Sequence, residues 1–301
     1  MSDARIVLTG ATGQVGWELQ RALGPLGEVV AAGREQLDLA DPQGLRKRLH
    51  ELQPAVIVNA AAYTAVDRAE SETKLAEVVN AAAPAVLAEE AAACGAWLVH
   101  YSTDYVFEGS GTSPRAETDP VGPASVYGRT KLAGEQSVLA SGCAGLVFRT
   151  SWVFGVHGGN FLKTMLRAAA TRDELAVVAD QYGTPTPAHL IADVTAHAVR
   201  DVIAGRLPRR AELYHLAPRG ETTWHDYAEY AIGYARELGW PVRARSIRPI
   251  ATKDWPTPAT RPANSRLDCR KLEGRFGLRL PDWQSGVRRV TQQLVEERIS
   301  P

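Results

Sequence analysis

Through the first half of the chain, short unbroken apolar bursts alternate with longer stretches whose apolar positions recur every three or four residues. The bursts are Arg5–Thr9, Glu28–Ala32, Ala55–Ala60, Trp97–Ser102 and Gly145–Ser151. Between them, Gly16–Leu23, Pro42–Leu52, Ser71–Cys94 and Ser125–Leu139 carry the helical period. A burst such as Ala55-Val-Ile-Val-Asn59 does not alternate with polar residues, as expected of a strand buried on both faces. Strand and helix taking turns at this spacing predict an α/β fold, a Rossmann-type doubly wound parallel sheet.

After Trp152 the rhythm breaks. Phe161–Ala170 and His189–Val202 read as amphipathic helices, and Glu174–Asp180 and Leu213–Leu216 as strands. Tyr227, Tyr230, Ala231, Tyr234 and Leu238 form a helical stripe that predicts a packed face rather than an aromatic binding surface. The proline-rich stretch Thr252–Pro262 reads as an extended loop. We therefore expect a dinucleotide-binding domain over 1–151 and a smaller mixed α/β substrate domain over 152–301. Segments around 171–200 are expected to return to the first domain.

Composition narrows the function. With 34 Lys+Arg against 34 Asp+Glu in 301 residues, the formal charge is zero, which argues against a nucleic-acid partner. Apolar content of 45% and charged content of 23% are those of a globular protein with a full core. Cys94, Cys143 and Cys269 form no CxxC pair, so neither a zinc site nor a disulfide framework is expected. The polar start is no signal peptide, and Val78–Ala88 is too short to span a bilayer, so a cytoplasmic protein without membrane contact is expected.

Two motifs carry chemistry. The first is Gly10-Ala-Thr-Gly13-Gln14-Val15-Gly16, placed between the first strand and the first helix. Such glycines permit a tight turn, close approach to a pyrophosphate and close helix–strand packing, while the helix N-terminus offers N–H groups to the anion. At the end of the second strand, Arg34 favours the 2′-phosphate of NADP over the free ribose of NAD, although Glu35 beside it points the other way. Asp38 suits either an adenine contact or a turn cap.

The second motif is Tyr127-Gly-Arg-Thr-Lys131, which sets a phenol and an amine on one helix face. A nearby cation lowers a phenol toward the range useful in proton transfer. The fourth strand ends in Ser102-Thr103-Asp104, at the sheet edge where α/β folds bind ligands. Thr103, Tyr127 and Lys131 together would supply a carbonyl hydrogen-bond donor, a proton donor and a tuning cation. Ser102 competes with Thr103 for the first of these tasks, and His100 reads as a core or supporting residue rather than a base.

The segments GATGQVGWELQ, NAAAYTAVDRAE, STDYVF, YGRTKLAGE and RTSWVFG, followed by DQYGTPT, TTWHDYA and RPANSRLD, resemble the extended short-chain dehydrogenase/reductases. Within that superfamily the chain is similar throughout to the dTDP-4-dehydrorhamnose reductase family. The resemblance implies an NAD(P)-dependent oxidoreductase that reduces the C4 ketone of a dTDP-4-dehydro-6-deoxy-L-hexose. It places Gly13, Gln14, Val15, Asp38, Leu39, Ala62, Tyr63 and Thr64 at the dinucleotide, with Lys131 on the ribose and Tyr127 as proton donor. Thr103, Asp104 and Trp152 would hold the sugar, and Gln181, Trp224 and Arg261 are candidates for its nucleotide end.

Some members carry magnesium at a homodimer contact. Glu18 matches one ligand position, but His189 stands where a second acid is expected, and magnesium prefers oxygen. Two other readings share the fold: a non-catalytic dinucleotide-binding subunit like that of methionine adenosyltransferase, and a sugar-nucleotide epimerase. An intact Tyr127/Lys131 pair speaks against the first.

Overall fold

A computed structural model describes residues 4–299. Its first half winds in the order β1 (Arg5–Thr9), α1 (Gln14–Leu23), β2 (Glu28–Ala32), α2 (Pro42–Leu52), β3 (Val56–Asn59), α3 (Val66–Ala69), α4 (Thr73–Glu77), α5 (Ala83–Cys94), β4 (Trp97–Thr103), α6 (Val126–Ala140) and β5 (Ala144–Thr150). Local chemistry sets several of the boundaries. Asp41 caps α2 by accepting from Gly44 N, and Ser125 caps α6 by accepting from Gly128 N. α5 ends at Gly95, whose φ of +70° closes the helix in the left-handed region.

One departure from the sequence expectation lies in 71–94, where a single helix was predicted. The structure has α4, one π turn over Val78–Ala82, and then α5. The π turn has a visible accompaniment: Asn80, inside it, turns its carboxamide onto neighbouring segments instead of lying on a helix face.

The second half continues with β6 (Val153–Phe154), α7 (Phe161–Thr171), β7 (Glu174–Val178), β8 (Tyr182–Gly183), β9 (Thr186–Pro187), α8 (Ala188–Ile203), β10 (Ala211–His215), β11 (Thr222–Thr223), α9 (Trp224–Glu237), β12 (Ser246–Ile250), α10 (Arg270–Phe276) and α11 (Trp283–Ile299). The main sheet has six strands in the order β10-β5-β4-β3-β1-β2, every pairing parallel. Alternate residues of its strands feed two cores. Ile6, Leu8, Val56 and Val58 pack with Leu19, Ile191 and Val199 on the α1/α8 side. Val7 and Ile57 pack with Leu45, Leu87 and Val138 on the α2/α5/α6 side.

A third core joins Phe154, Leu162, Leu166, Leu175, Tyr227, Ile232 and Trp283 from the second half. Of the predicted stripe, Tyr227 and Ala231 lie in this core and Tyr230 packs against it, whereas Tyr234 and Leu238 stay outside it; Ala228, Ile232 and Ala235 complete the packed face of α9. Among the described residues, no helix is long and apolar enough to cross a membrane.

Candidate active site

The carboxyl ends of β1, β3, β4 and β5 lie side by side, and many of the predicted site residues stand at or just beyond them. After β1, Gly10 turns with φ +67°. A Cβ there would stand 2.6 Å from Ala61 N, so the two loops can touch only across glycine. At Gly16 a Cβ would stand 2.0 Å from Gly10 O, which fixes how closely α1 approaches the turn. Gly13 caps α1 with no side-chain bond, so the first N–H groups of the helix are open to an anion. A glycine cradle leading into an uncapped helix end fits a dinucleotide pyrophosphate.

The loop is also strapped from outside. Asn160 Nδ2 donates to Gln14 Oε1 at 2.9 Å, and the His157 ring stacks on Trp17 at 4.5 Å. The Gln14 side chain is thus engaged with the protein, while Val15 packs against the α1/α8 core. Beyond β2, Arg34 is exposed in the turn that follows the strand. Asp38 accepts from Ala40 N at 2.9 Å, the turn-capping geometry, and Leu39 is buried.

Ala62, Tyr63 and Thr64 follow β3. Tyr63 is gripped by Asn80, whose Oδ1 accepts from Tyr63 N at 2.9 Å and whose Nδ2 donates to Tyr63 O at 3.0 Å. The same Nδ2 reaches Thr130 Oγ1 at 3.2 Å, next to Lys131. Sequence reasoning missed Asn80. Its signal was one amide in the apolar run 78–88.

At the end of β4, Thr103 Oγ1 donates to Asp104 Oδ1 at 3.0 Å and accepts from Tyr105 N at 3.2 Å. α6 is aimed at this point by its Ser125 cap and by Glu70, which accepts from Val126 N at 2.8 Å. Tyr127, on its first turn, packs edge-on against Tyr105 with centroids 5.4 Å apart. Desolvation pushes the Tyr127 phenol well above its ordinary value, and a hydrogen bond with Thr103 offsets part of this. Of the two competing hydroxyls, Thr103 is the one that bears on the Tyr127 phenol. Ser102 Oγ is buried without a hydrogen-bond partner.

Asp104 is 2% exposed, and burial raises its carboxyl to about 6, against the pull of Ser265 and Thr103. Lys131 is 3% exposed, and desolvation lowers its amine to about 8, with Glu135 partly offsetting the effect. Its Nζ donates to Tyr101 O at 2.5 Å. The amine is therefore directed at the β4 backbone, and the lowered phenol that a cation would give is not the resting state of this protein.

Trp152 follows β5 with φ +48°, an unusual conformation for a large residue. It stacks on Trp224 at 3.6 Å, and Trp224 Nε1 donates to Gln181 Oε1 at 3.1 Å. Gln181 in turn donates to Thr252 Oγ1, and Arg261 pairs with Asp67 at 2.7 Å. These contacts bring the 252–262 loop against both halves of the chain.

The residues matched to the magnesium position do not fit that ion. Arg21 pairs with Asp193 at 2.8 Å and with Glu18 at 3.4 Å, so a guanidinium already takes these oxygens. Burial, with Arg289 and Arg21 nearby, lowers His189 to about 4.

Residues 4–296 match the family model described as the RmlD substrate binding domain. A dTDP-4-dehydrorhamnose reductase from Shigella flexneri is 50% identical over 293 residues, covering 96% of this chain and 97% of that protein. The crystal structure of a dTDP-4-dehydrorhamnose reductase from Clostridium acetobutylicum superposes with TM-score 0.89 at 36% identity, covering 96% of this chain and 99% of that one. The corresponding enzyme of Bacillus anthracis in complex with NADP has TM-score 0.87 at 32% identity, covering 97% and 99%.

Proposed function

Because this chain belongs to the RmlD family of dTDP-4-dehydrorhamnose reductases, we propose that it reduces dTDP-4-dehydro-L-rhamnose to dTDP-L-rhamnose with NAD(P)H. The observation that carries the reading is the placing of Tyr127, packed edge-on against Tyr105, beside Thr103 and buried Asp104 at the sheet edge next to the glycine loop. When bound along that loop, the cofactor supplies the hydride.

Tyr127 holds the proton. Its Oη–H bond breaks as an O–H bond forms on the sugar C4 oxygen. The Thr103 hydroxyl, turning from Asp104 Oδ1, donates to the same oxygen and fixes its position. Asp104, when ionised, accepts from a sugar hydroxyl. Lys131 meets the ribose hydroxyls and offsets the negative charge on the phenolate. The Trp152 ring, held flat by Trp224, backs the sugar, and Gln181 and Arg261 face the nucleotide end.

Exposed Arg34 favours NADP(H) over NAD(H). With Cys94, Cys143 and Cys269 free, the working place is a reducing cytoplasm. The Arg21 pairs support a metal-independent enzyme. Self-association measured by sedimentation is expected to be the same with magnesium and with chelator.

Two measurements test the reading. With dTDP-4-dehydro-L-rhamnose, one NADPH is expected to be oxidised per sugar, with dTDP-L-rhamnose identified by NMR. Absence of net oxidation would point to an epimerase or a binding subunit. Tyr127→Phe is expected to cut kcat by about 10²–10⁴-fold, the worth of a general acid, while NADPH binding stays within a few-fold. Near-normal turnover in this variant would remove Tyr127 from its role.

A further inference from the structure

A line of polar side chains inside the sheet ends at Lys131. Thr9, Asn59 and His100 are register neighbours across β1, β3 and β4, and none is more than 1% exposed. Thr9 Oγ1 donates to Asn59 Oδ1 at 2.6 Å. With the carboxamide turned this way, Asn59 Nδ2 lies 3.1 Å from His100 Nδ1. On the far side of the ring, His100 Nε2 lies 3.5 Å from Lys131 Nζ.

With that turn of the carboxamide, donor counting assigns the ring. An amide nitrogen can only donate, so Nδ1 accepts and the single proton of a neutral imidazole sits on Nε2. Burial keeps this histidine neutral, since its proton affinity falls well below the usual range. The Nε2–H then points toward an ammonium, which also can only donate. An unprotonated amine, by contrast, offers His100 a lone pair.

We propose that Thr9, Asn59 and His100 are positioning residues for Lys131: they hold the imidazole as its Nε2–H tautomer, and that N–H favours the neutral amine over the ammonium. Other groups around Lys131 act differently. Glu135, one turn along α6, favours the ammonium, but its carboxylate is held by Arg149 of β5 at 2.9 Å. Tyr127 lies one turn earlier on α6, and Asp104 follows β4 near the Tyr127 phenol. Thr9 and Asn59, from β1 and β3, do not titrate.

The kinetic part rests on the reductase reading, whereas the tautomer does not. Long-range ¹H–¹⁵N NMR on the full-length protein with labelled histidine reads the tautomer directly, and His100 is identified by loss of its signals in His100→Phe. The Nε2–H form is expected across the neutral range, and the Nδ1–H form would overturn the proposal. In pH profiles of kcat, His100→Phe and the milder Thr9→Val are expected to move the alkaline fall upward, by about one unit in the first, or roughly tenfold in proton affinity. An unmoved alkaline limb in two folded variants would overturn it as well. A parent enzyme without turnover would instead count against the reductase reading, with the NMR result still standing.

Discussion

Glu135 and Arg149 offer a sharp test of the energetics behind the site. Their side chains are 2% and 3% exposed, and two hydrogen bonds join them, one of 2.9 Å and one of 2.5 Å. Glu135→Leu strips Arg149 of both bonds. Arg149 Nη1 already has no hydrogen-bond partner, so what remains is the Phe107 ring, 4.9 Å away, worth about 0.5–2 kcal/mol. A guanidinium cannot shed its proton. The uncompensated charge should therefore cost about 3–5 kcal/mol, a large part of a stability of about 5–15 kcal/mol. Arg149→Met should cost less, because a carboxyl left alone can take up a proton. The double variant Glu135→Leu/Arg149→Met removes both charges, and its stability should return to within about 1–2 kcal/mol of the parent. Urea denaturation of the four proteins measures the cycle. If the two single losses simply add in the double variant, the pair is not coupled and the reasoning fails.

Other outcomes follow from the same geometry. Lys131 loses its charge as pH rises through about 8, and Asp104 loses its own as pH falls through about 6, so turnover should be greatest between these values. The stability contributions have the corresponding signs. The buried Asp104 has a raised carboxyl, so its contribution grows as pH falls from about 6 toward the unfolded value. The lowered Lys131 amine contributes more as pH climbs from about 8 toward its unfolded value. A flat pH profile of kcat/KM between 5 and 9 would contradict both assignments, the window being about one unit beyond each value. Asn80→Ala unlinks Tyr63 from α6 and leaves backbone groups unpaired, so the Kd for NADPH should weaken by roughly tenfold and stability fall by about 1–3 kcal/mol. Equal cofactor titrations for parent and variant would show that the Tyr63 loop needs no such anchor.

Much of this was legible from residues alone, for identifiable reasons. Strands β1, β3, β4 and β5 are largely apolar runs because both faces of a covered parallel sheet are dry, and that leaves a mark on composition at most of their positions. Tyr127 and Lys131 were legible because four residues make one helical turn. What could not be read depends on partners distant in sequence. Nothing near Glu135 says that Arg149 will meet it inside the protein, and a glutamate in mid-helix suggests solvent. Asn80 looked like an interruption of a helix, because its partners Tyr63 and Thr130 lie far along the chain. Nor does sequence separate Ser102 from Thr103, adjacent hydroxyls that differ only in where the strand ends. Trp152 was legible as a residue after β5, but not in its left-handed backbone or its stacking on Trp224.

The position of β10 has a consequence for how the chain is made. β5 reaches its outer neighbour only after 151–210 have built part of the other core and supplied α8, so on a growing chain its edge stays unpaired for some sixty residues. At roughly 5–20 residues per second, translation holds that edge open for several seconds. An exposed parallel edge is a template for unwanted pairing, so the interval is the stretch of synthesis most exposed to aggregation or chaperone capture. A chain halted before Ala211 should accordingly be far less tractable than one halted just after His215.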